Sequence, residues 1–224
     1  ATAAGIGLRD TDTTLCAVPL FNIFGLGSAL MTAVVSGSSL ILQEEFSASR
    51  TLELIERHRP TVLHGVPTMF VLLRRELQRR TADLSSLRTG IIAGAPVQPE
   101  LVRALREEVF PDLEIAYGLT ETSPTVSLTG AGDGDARSDT VGRPIDGVEV
   151  QILDDGDRPA ATGDTGEIAV RGPNVMLGYF RQPAATRSVL TADGFLKTGD
   201  LGTIDEQGFL RIVGRRSDVI LRGG

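Results

Sequence analysis

Residues 113–124 read Leu-Glu-Ile-Ala-Tyr-Gly-Leu-Thr-Glu-Thr-Ser-Pro, a short predicted strand that leads directly into a polar loop. Gly118 lets the backbone turn at this point or approach a ligand closely. The loop carries an aromatic ring, hydroxyls and one carboxylate: Tyr117, Thr120, Thr122 and Glu121. A ring face suits a base, hydroxyls can hold phosphate oxygens, and a hard carboxylate oxygen suits Mg²⁺. A nucleotide needs all three kinds of group in one place, so the stretch is a candidate nucleotide site. The alternative is that it is an ordinary polar turn after a strand.

Upstream of this stretch, short apolar segments alternate with segments of helical periodicity. The predicted strands are 15–20, 39–43, 61–64, 89–93 and 114–117, and the predicted helices are 26–36, 48–58, 68–79 and 99–109. This alternation predicts an α/β fold with a mostly parallel sheet flanked by helices. Ligands of such sheets gather at the carboxyl ends of the strands, where Gly94-Ala95-Pro96 and Tyr117-Gly118 fall.

The pattern changes downstream. Residues 125–140 are rich in Gly, Ser, Thr and Asp and predict a loop. Short strands are then predicted at 148–153, 166–171, 201–204 and 209–213, with a short helix at 183–190. We therefore expect an α/β subdomain over 1–140, a small β-rich, barrel-like subdomain over 141–214, and a hinge over 215–224 that leads to an absent C-terminal domain.

Composition narrows the classes of function. The 224 residues are 41% hydrophobic and 23% charged, which is ordinary for a globular protein. A net charge of −7 argues against a nucleic-acid partner. The single cysteine, Cys16, excludes an internal disulfide and fits a reducing compartment, so we expect a cytoplasmic location. Residues 17–42 carry no charge, but Pro19, glycines and serines interrupt the run, so we expect a strand, a buried helix and a strand there, not a membrane span.

Five motifs stand in order along nearly the whole chain: Gly94-Ala95-Pro96; Tyr117 to Pro124; Gly166-Glu167-Ile168 with Arg171-Gly172; Lys197-Thr198-Gly199-Asp200; and Gly214-Arg215-Arg216-Ser217-Asp218. Together they resemble the adenylate-forming superfamily of acyl- and aryl-CoA synthetases, peptide-synthetase adenylation domains and luciferases. The resemblance implies a two-step reaction: a small-molecule carboxylic acid attacks the α-phosphorus of ATP, and a thiol, usually coenzyme A, then takes the acyl group. ATP, Mg²⁺ and coenzyme A are the implied cofactors and co-substrates.

The resemblance also implies roles for single residues. Tyr117 would stack on adenine, with Gly94, Ala95 and Pro96 as the opposite wall and Gly118 beside it. Thr120 would contact the α-phosphate and Glu121 would bind Mg²⁺, which makes this pair the catalytic candidates. Asp200 would accept both ribose hydroxyls, because one carboxylate matches two vicinal hydroxyls. Arg215 would reach the ribose or a phosphate. A turn, a solvated acid or a surface arginine is the alternative in each case.

The resemblance also suggests roles at three further positions. Asn22 lies in a segment that resembles the lining of the acyl or thiol channel, where relatives commonly have histidine; since asparagine cannot act as a base, we expect it to shape the pocket. His64 ends a strand and could face the acyl pocket, or be structural. Ser217 matches the hinge position, where relatives usually have Asp or Lys. Glu167 and its neighbours match a motif that we expect to be structural.

Two parts of the family pattern are missing from the sequence. The glycine- and hydroxyl-rich phosphate loop is expected before residue 1, and the domain with the adenylation lysine beyond Gly224. We therefore expect the 224 residues to be inactive alone. The leading hypothesis is part of an acid–CoA ligase for a fatty, aryl or small carboxylic acid. The alternatives are an amino-acid adenylation domain, which would generally place an Asp near Asn22, a non-catalytic nucleotide-binding module, and a plain α/β scaffold.

Overall fold

Two β-sheets follow one another along the chain in the computed structural model, which describes residues 1–130, 132–134 and 137–218. The first sheet contains β1 (Thr13–Cys16), β2 (Ser39–Leu42), β3 (Val62–His64), β4 (Thr89–Ile92), β5 (Asp112–Tyr117), β6 (Ser127–Leu128) and β7 (Arg143–Pro144). The second contains β8 (Glu149–Leu153), β9 (Gly166–Arg171), β10 (Leu196–Ile204) and β11 (Leu210–Arg215).

The helices lie mainly between the strands of the first sheet. They are α1 (Thr2–Gly5), α2 (Thr32–Ser36), α3 (Ala48–His58), α4 (Pro67–Leu77), α5 (Pro99–Glu108) and α6 (Pro183–Val189). A π-helix, Phe24–Met31, runs into α2, and 3₁₀ turns form at Thr120–Thr122 and Arg216–Asp218. None of the helices in the described part of the chain combines the length and apolarity needed to cross a bilayer.

The first sheet confirms the predicted α/β architecture. Its strand order is β2-β1-β3-β4-β5-β6-β7, and the first five strands of the chain run parallel. β6 and β7 continue the sheet antiparallel. Ile92 of β4 is in register with Ile115 of β5, so residues 94–96 and 117–118 leave the sheet at the same edge.

Apolar periodicity explains how the helices pack. In α5, Val102 and Leu105 are fully buried, and Pro99 occupies the first turn, where its missing N–H costs nothing. They join Leu15, Leu52 and Phe110 in the main core of the first sheet. Each such side chain contributes about 1.5–3 kcal/mol by leaving water.

The second predicted unit is β-rich, as expected. Its antiparallel strands follow the order β11-β10-β9-β8 and form a four-stranded sheet. The sheet is tied to the first through Leu210, whose backbone exchanges hydrogen bonds with Val141 and Gly142 at 2.9 and 2.8 Å. A second core lies where Val126 packs with Ile168 of this sheet.

Two local predictions were wrong. The segment predicted as a loop over 125–140 contains β6, although residues 131, 135 and 136 lie outside the described part. The strand predicted at 201–204 begins at Leu196 and so includes the Lys197-Thr198-Gly199-Asp200 motif. It pairs with β9 through an irregular register between Lys197 and Leu201, which a period-two pattern cannot reveal.

The helix predicted at 26–36 forms, but the expectation that it is buried was wrong. Its first part is the π-helix and only its last five residues are α-helical. Met31, Val34 and Val35 are exposed, Val35 by 78%. Gly25 packs tightly on the chain before the helix, since a Cβ there would lie 2.4 Å from the Pro19 carbonyl oxygen. Most of the predicted hinge, residues 219–224, lies outside the described residues.

Candidate nucleotide site

A hydrogen-bonded chain of three side chains joins the two sheets. Tyr117, at the end of β5, donates its hydroxyl to Asp200 Oδ2 at 2.7 Å, and Arg215 Nε donates to Asp200 Oδ1 at 2.8 Å. Asp200 is only 6% exposed. Burial and then the bond to Asp200 raise the pKa of Tyr117, which keeps its hydroxyl a neutral donor. Residues predicted to contact adenine and ribose therefore meet across 83 positions of sequence.

The acceptor capacity of Asp200 leaves room for a ligand. A carboxylate offers about two lone-pair positions on each oxygen. Tyr117 and Arg215 each occupy one position, on different oxygens. Among the residues that the structure describes, no other group donates to these oxygens, so one position per oxygen is left, which matches the two vicinal hydroxyls of a ribose.

Glu167 supports the backbone that presents Asp200. It is buried, and its Oε1 accepts the Gly199 N–H at 3.0 Å, where Gly199 has φ +75°. Thr198 helps on the other side, because its hydroxyl accepts the Asp200 N–H at 3.1 Å. Glu167 Oε2 also accepts from Arg216 at 2.6 Å. The structural role predicted for Glu167 thus extends to shaping the site, and no local sequence pattern reveals that.

The loop after β5 is held by its own residues. A Cβ on Gly118 would lie 1.6 Å from the Pro124 carbonyl oxygen, so this glycine is required by the return of the loop. The Thr122 hydroxyl is buried and accepts the Leu119 N–H at 3.1 Å, so the idea that it holds phosphate was wrong. Thr120 is exposed, so its hydroxyl is available to a ligand.

Glu121 sits beside a pocket of about 320 Å³ that opens between the two sheets. Tyr179, Lys197, Thr198 and Arg216 are among the other lining residues. The Tyr179 hydroxyl donates to Glu121 Oε1 at 2.8 Å. Among the described residues, nothing donates a hydrogen bond to Oε2. Sequence reasoning missed Tyr179, which lies 58 positions from its partner.

The side chains at this site supply enough oxygen ligands for Mg²⁺ only together with the phosphates of a bound substrate. The described residues include no group of three or more His, Cys, Asp or Glu side chains that could hold an ion by themselves. Mg²⁺ is commonly held by one or two carboxylates together with substrate phosphates and waters. Glu121, with one oxygen open, fits that arrangement.

Gly94, Ala95 and Pro96 are exposed immediately after β4, beside Tyr117 at the same edge of the sheet. Gly94 has φ +85°, a conformation in which glycine is favoured. The predicted slot for a base therefore has both of its walls in neighbouring connections, although stacking itself stays a prediction.

The structure places Asn22, His64 and Ser217 in different surroundings. Asn22 is exposed between β1 and the π-helix. His64 is 1% exposed, its Nδ1 accepts the Ile91 N–H at 3.1 Å, and burial lowers its pKa to about 4. This geometry favours the structural interpretation of His64, and its role in an acyl pocket stays a prediction. Ser217 donates to Asp218 Oδ1 at 3.0 Å within the 3₁₀ turn.

Comparison with known proteins places the chain in a family. The family model described as AMP-binding enzyme matches residues 1–180. The chain belongs to the AMP-binding enzyme family. Among its relatives, the mitochondrial medium-chain acyl-CoA ligase ACSF2 of Macaca fascicularis is 38% identical over 210 residues, 92% of this chain and 34% of ACSF2. The 2-succinylbenzoate–CoA ligase of Bacillus pumilus is 38% identical over 222 residues, 99% of this chain and 44% of that ligase.

Solved structures of AMP-binding enzymes share the fold. The O-succinylbenzoate coenzyme A synthetase MenE of Bacillus subtilis, in complex with AMP, matches with a TM-score of 0.89 and 35% identity over 100% of this chain and 45% of MenE. The same enzyme in complex with ATP and magnesium ion matches with a TM-score of 0.87 and 34% identity over 99% and 46%. The chain thus spans less than half the length of these relatives.

Proposed function

We propose that this chain is the nucleotide-binding part of an ATP-dependent acid–CoA ligase. The observation that carries the proposal is the contact between Tyr117, Asp200 and Arg215, with Thr120 and Glu121 presented on the adjoining loop. These side chains come from both sheets and offer partners for a base, a ribose and phosphates. The names of ACSF2 and of the two succinylbenzoate ligases support coenzyme A as the thiol.

In the first step, a carboxylate oxygen of the acid forms a bond to the α-phosphorus of ATP, and the bond from that phosphorus to the bridging oxygen breaks. Pyrophosphate leaves with the electron pair, and acyl-adenylate remains. Asp200 and Arg215 hold the sugar, and the Thr120 hydroxyl donates to the α-phosphate, so that the attacking oxygen is in line. Glu121 would hold Mg²⁺ together with the nucleotide, and the ion would supply positive charge where the two anions meet.

In the second step, the thiol of coenzyme A loses its proton to solvent and its sulfur forms a bond to the acyl carbon. The bond from that carbon to the phosphate oxygen breaks, and AMP leaves with the electron pair. Asn22, near the carboxyl end of β1, is proposed to shape the acyl or thiol channel. The acid is proposed to be a fatty, aryl or small carboxylic acid. The buried free thiol Cys16 supports a reducing compartment, and we propose the cytoplasm.

We also retain the predicted division of the chain as a proposal. The α/β part would cover 1–140, the β-rich part 141–214, and the hinge 215–224. The step from β7 at Arg143–Pro144 to β8 at Glu149–Leu153, each in a different sheet, supports the first boundary. Ser217, in the turn after β11, is the proposed pivot.

The test uses the full-length protein with ATP, Mg²⁺ and a panel of medium-chain, aryl and short carboxylic acids. Acid-dependent pyrophosphate release, with AMP release that depends on coenzyme A, is the expected result. AMP release with amino acids and without coenzyme A would favour an amino-acid adenylation domain. Nucleotide binding with no pyrophosphate release for any acid would favour a non-catalytic module.

A further inference from the structure

The segment 174–179, which follows β9, crosses the loop 119–125 and holds its backbone. Asn174 Nδ2 donates to the Thr122 carbonyl at 3.1 Å and to the Thr125 carbonyl at 2.9 Å. The Met176 N–H donates to the Glu121 carbonyl at 2.8 Å. Three bonds to three carbonyls fix the loop from outside, in addition to the bond that Thr122 makes within it.

The same segment also fixes the side chain at the tip of the loop. The Tyr179 hydroxyl lies 2.8 Å from Glu121 Oε1. The backbone of Tyr179 is held in turn, because its N–H donates to Thr186 Oγ1 of α6 at 2.9 Å. Gly178 has φ +146°, and a Cβ there would lie 2.8 Å from Thr186 Cγ2. Tyr179 therefore approaches Glu121 from a backbone that has little freedom.

We propose that Tyr179 is a positioning residue for the metal ligand Glu121, and this inference rests on the proposed function. The Tyr179 hydroxyl occupies Oε1 and turns the carboxylate so that Oε2 is the oxygen presented to Mg²⁺. Mg²⁺ demands near-ideal octahedral geometry at about 2.0–2.1 Å, so a single protein carboxylate must be well oriented. Groups that hydrogen-bond a metal ligand typically change metal affinity or activity by about 10–100-fold when removed.

A matched control is a hydroxyl that donates to a carboxylate outside the Glu121 pocket, and Thr191 Oγ1 does so to Asp193 Oδ1 at 2.6 Å. Tyr179→Phe removes the hydroxyl beside Glu121, and Thr191→Val removes the hydroxyl beside Asp193. Mn²⁺ binding to the full-length protein is measured by water-proton relaxation at a saturating concentration of a non-hydrolysable ATP analogue. Tyr179→Phe is expected to raise the Mn²⁺ midpoint about tenfold or more, whereas Thr191→Val leaves it within about twofold.

A double-mutant cycle tests whether the effect passes through Glu121. In a Glu121→Gln background the metal ligand is already impaired, so adding Tyr179→Phe is expected to change the midpoint no further. A purely structural role would give the same additional loss in both backgrounds, which would overturn the inference.

The remaining outcomes separate the two proposals. If the unmodified protein binds Mn²⁺ with the analogue and Tyr179→Phe keeps the same midpoint, the positioning role is wrong and the proposed function is unaffected. If the unmodified protein shows no binding of Mn²⁺ that depends on the analogue, the proposed function is wrong, and the role of Tyr179 is overturned with it.

Discussion

Glu114 is a buried acid in the strand that leads to the site, and its ionisation should destabilise the protein above mildly acidic pH. It lies in β5, three residues before Tyr117, and is 2% exposed. Thr129 Oγ1 donates to its Oε2 at 2.6 Å. Burial is the main cause that raises the pKa of Glu114 from 4.5 to about 7, and the bond from Thr129 opposes it.

The direction of the pH effect follows from comparing the ionisation of Glu114 in the folded and in the unfolded protein. In the unfolded chain Glu114 loses its proton near pH 4.5, whereas the folded protein retains it up to about pH 7. The contribution of Glu114 to the free energy of unfolding therefore falls as pH rises from 4.5 to 7 and levels off above that. A difference of about 2.5 in pKa corresponds to about 3 kcal/mol at 1.36 kcal/mol per unit.

Glu114→Gln removes this ionisation and keeps an acceptor for Thr129. Urea denaturation between pH 4 and 8.5 should show the variant more stable than the unmodified protein at pH 8, by up to about 3 kcal/mol, and similar to it near pH 4. Glu107→Gln, on the exposed part of α5, is the matched control and should not alter the profile. If Glu114→Gln were no more stable at pH 8, the assignment of a raised pKa would be refuted.

Two other substitutions test the loop and the buried histidine. Gly118→Ala forces a Cβ to within 1.6 Å of the Pro124 carbonyl oxygen, so thermal melts should show a loss of about 3 kcal/mol or more, and an unchanged melting temperature would contradict this packing. His64 stays neutral in the fold to a pKa of about 4, while the unfolded state takes up a proton below about 6.5. The contribution of His64 to stability should therefore fall by about 3 kcal/mol as pH drops from 6.5 to 4, opposite in sign to that of Glu114, and the difference between urea titrations of the unmodified protein and of His64→Asn should show that slope.

Local sequence patterns predicted the parts of the fold that have a local cause. The parallel strands and α5 follow from apolar periodicity and from turn or helix-start residues such as Pro99. β6 and β7 have two residues each, too short to show any period. The Lys-Thr-Gly-Asp motif reads as a turn, yet it lies within β10 because β9 and β11 supply hydrogen-bonding partners from distant parts of the chain.

Sequence motifs likewise predicted only some of the residues of the candidate site. The motifs located Tyr117, Glu121 and Asp200, and the fold brings Tyr117 and Asp200 into contact. The motifs could not locate Tyr179, because its pairing with Glu121 depends on how the two sheets pack. Nor could they tell that the Thr122 hydroxyl points inward, where it accepts the Leu119 N–H at the start of the 3₁₀ turn.

Ribose recognition by Asp200 is the most direct test of the central claim. Calorimetry of the full-length protein should show AMP binding at least about tenfold more tightly than 2′,3′-dideoxy-AMP, since hydrogen bonds to a charged group contribute about 1.5–3 kcal/mol each. Asp200→Ala should weaken AMP and abolish the preference, whereas Asp164→Ala, an exposed carboxylate of the same sheet region, should leave both unchanged. If Asp200→Ala preferred AMP over 2′,3′-dideoxy-AMP as strongly as the unmodified protein does, the proposed recognition of ribose by Asp200 would be contradicted.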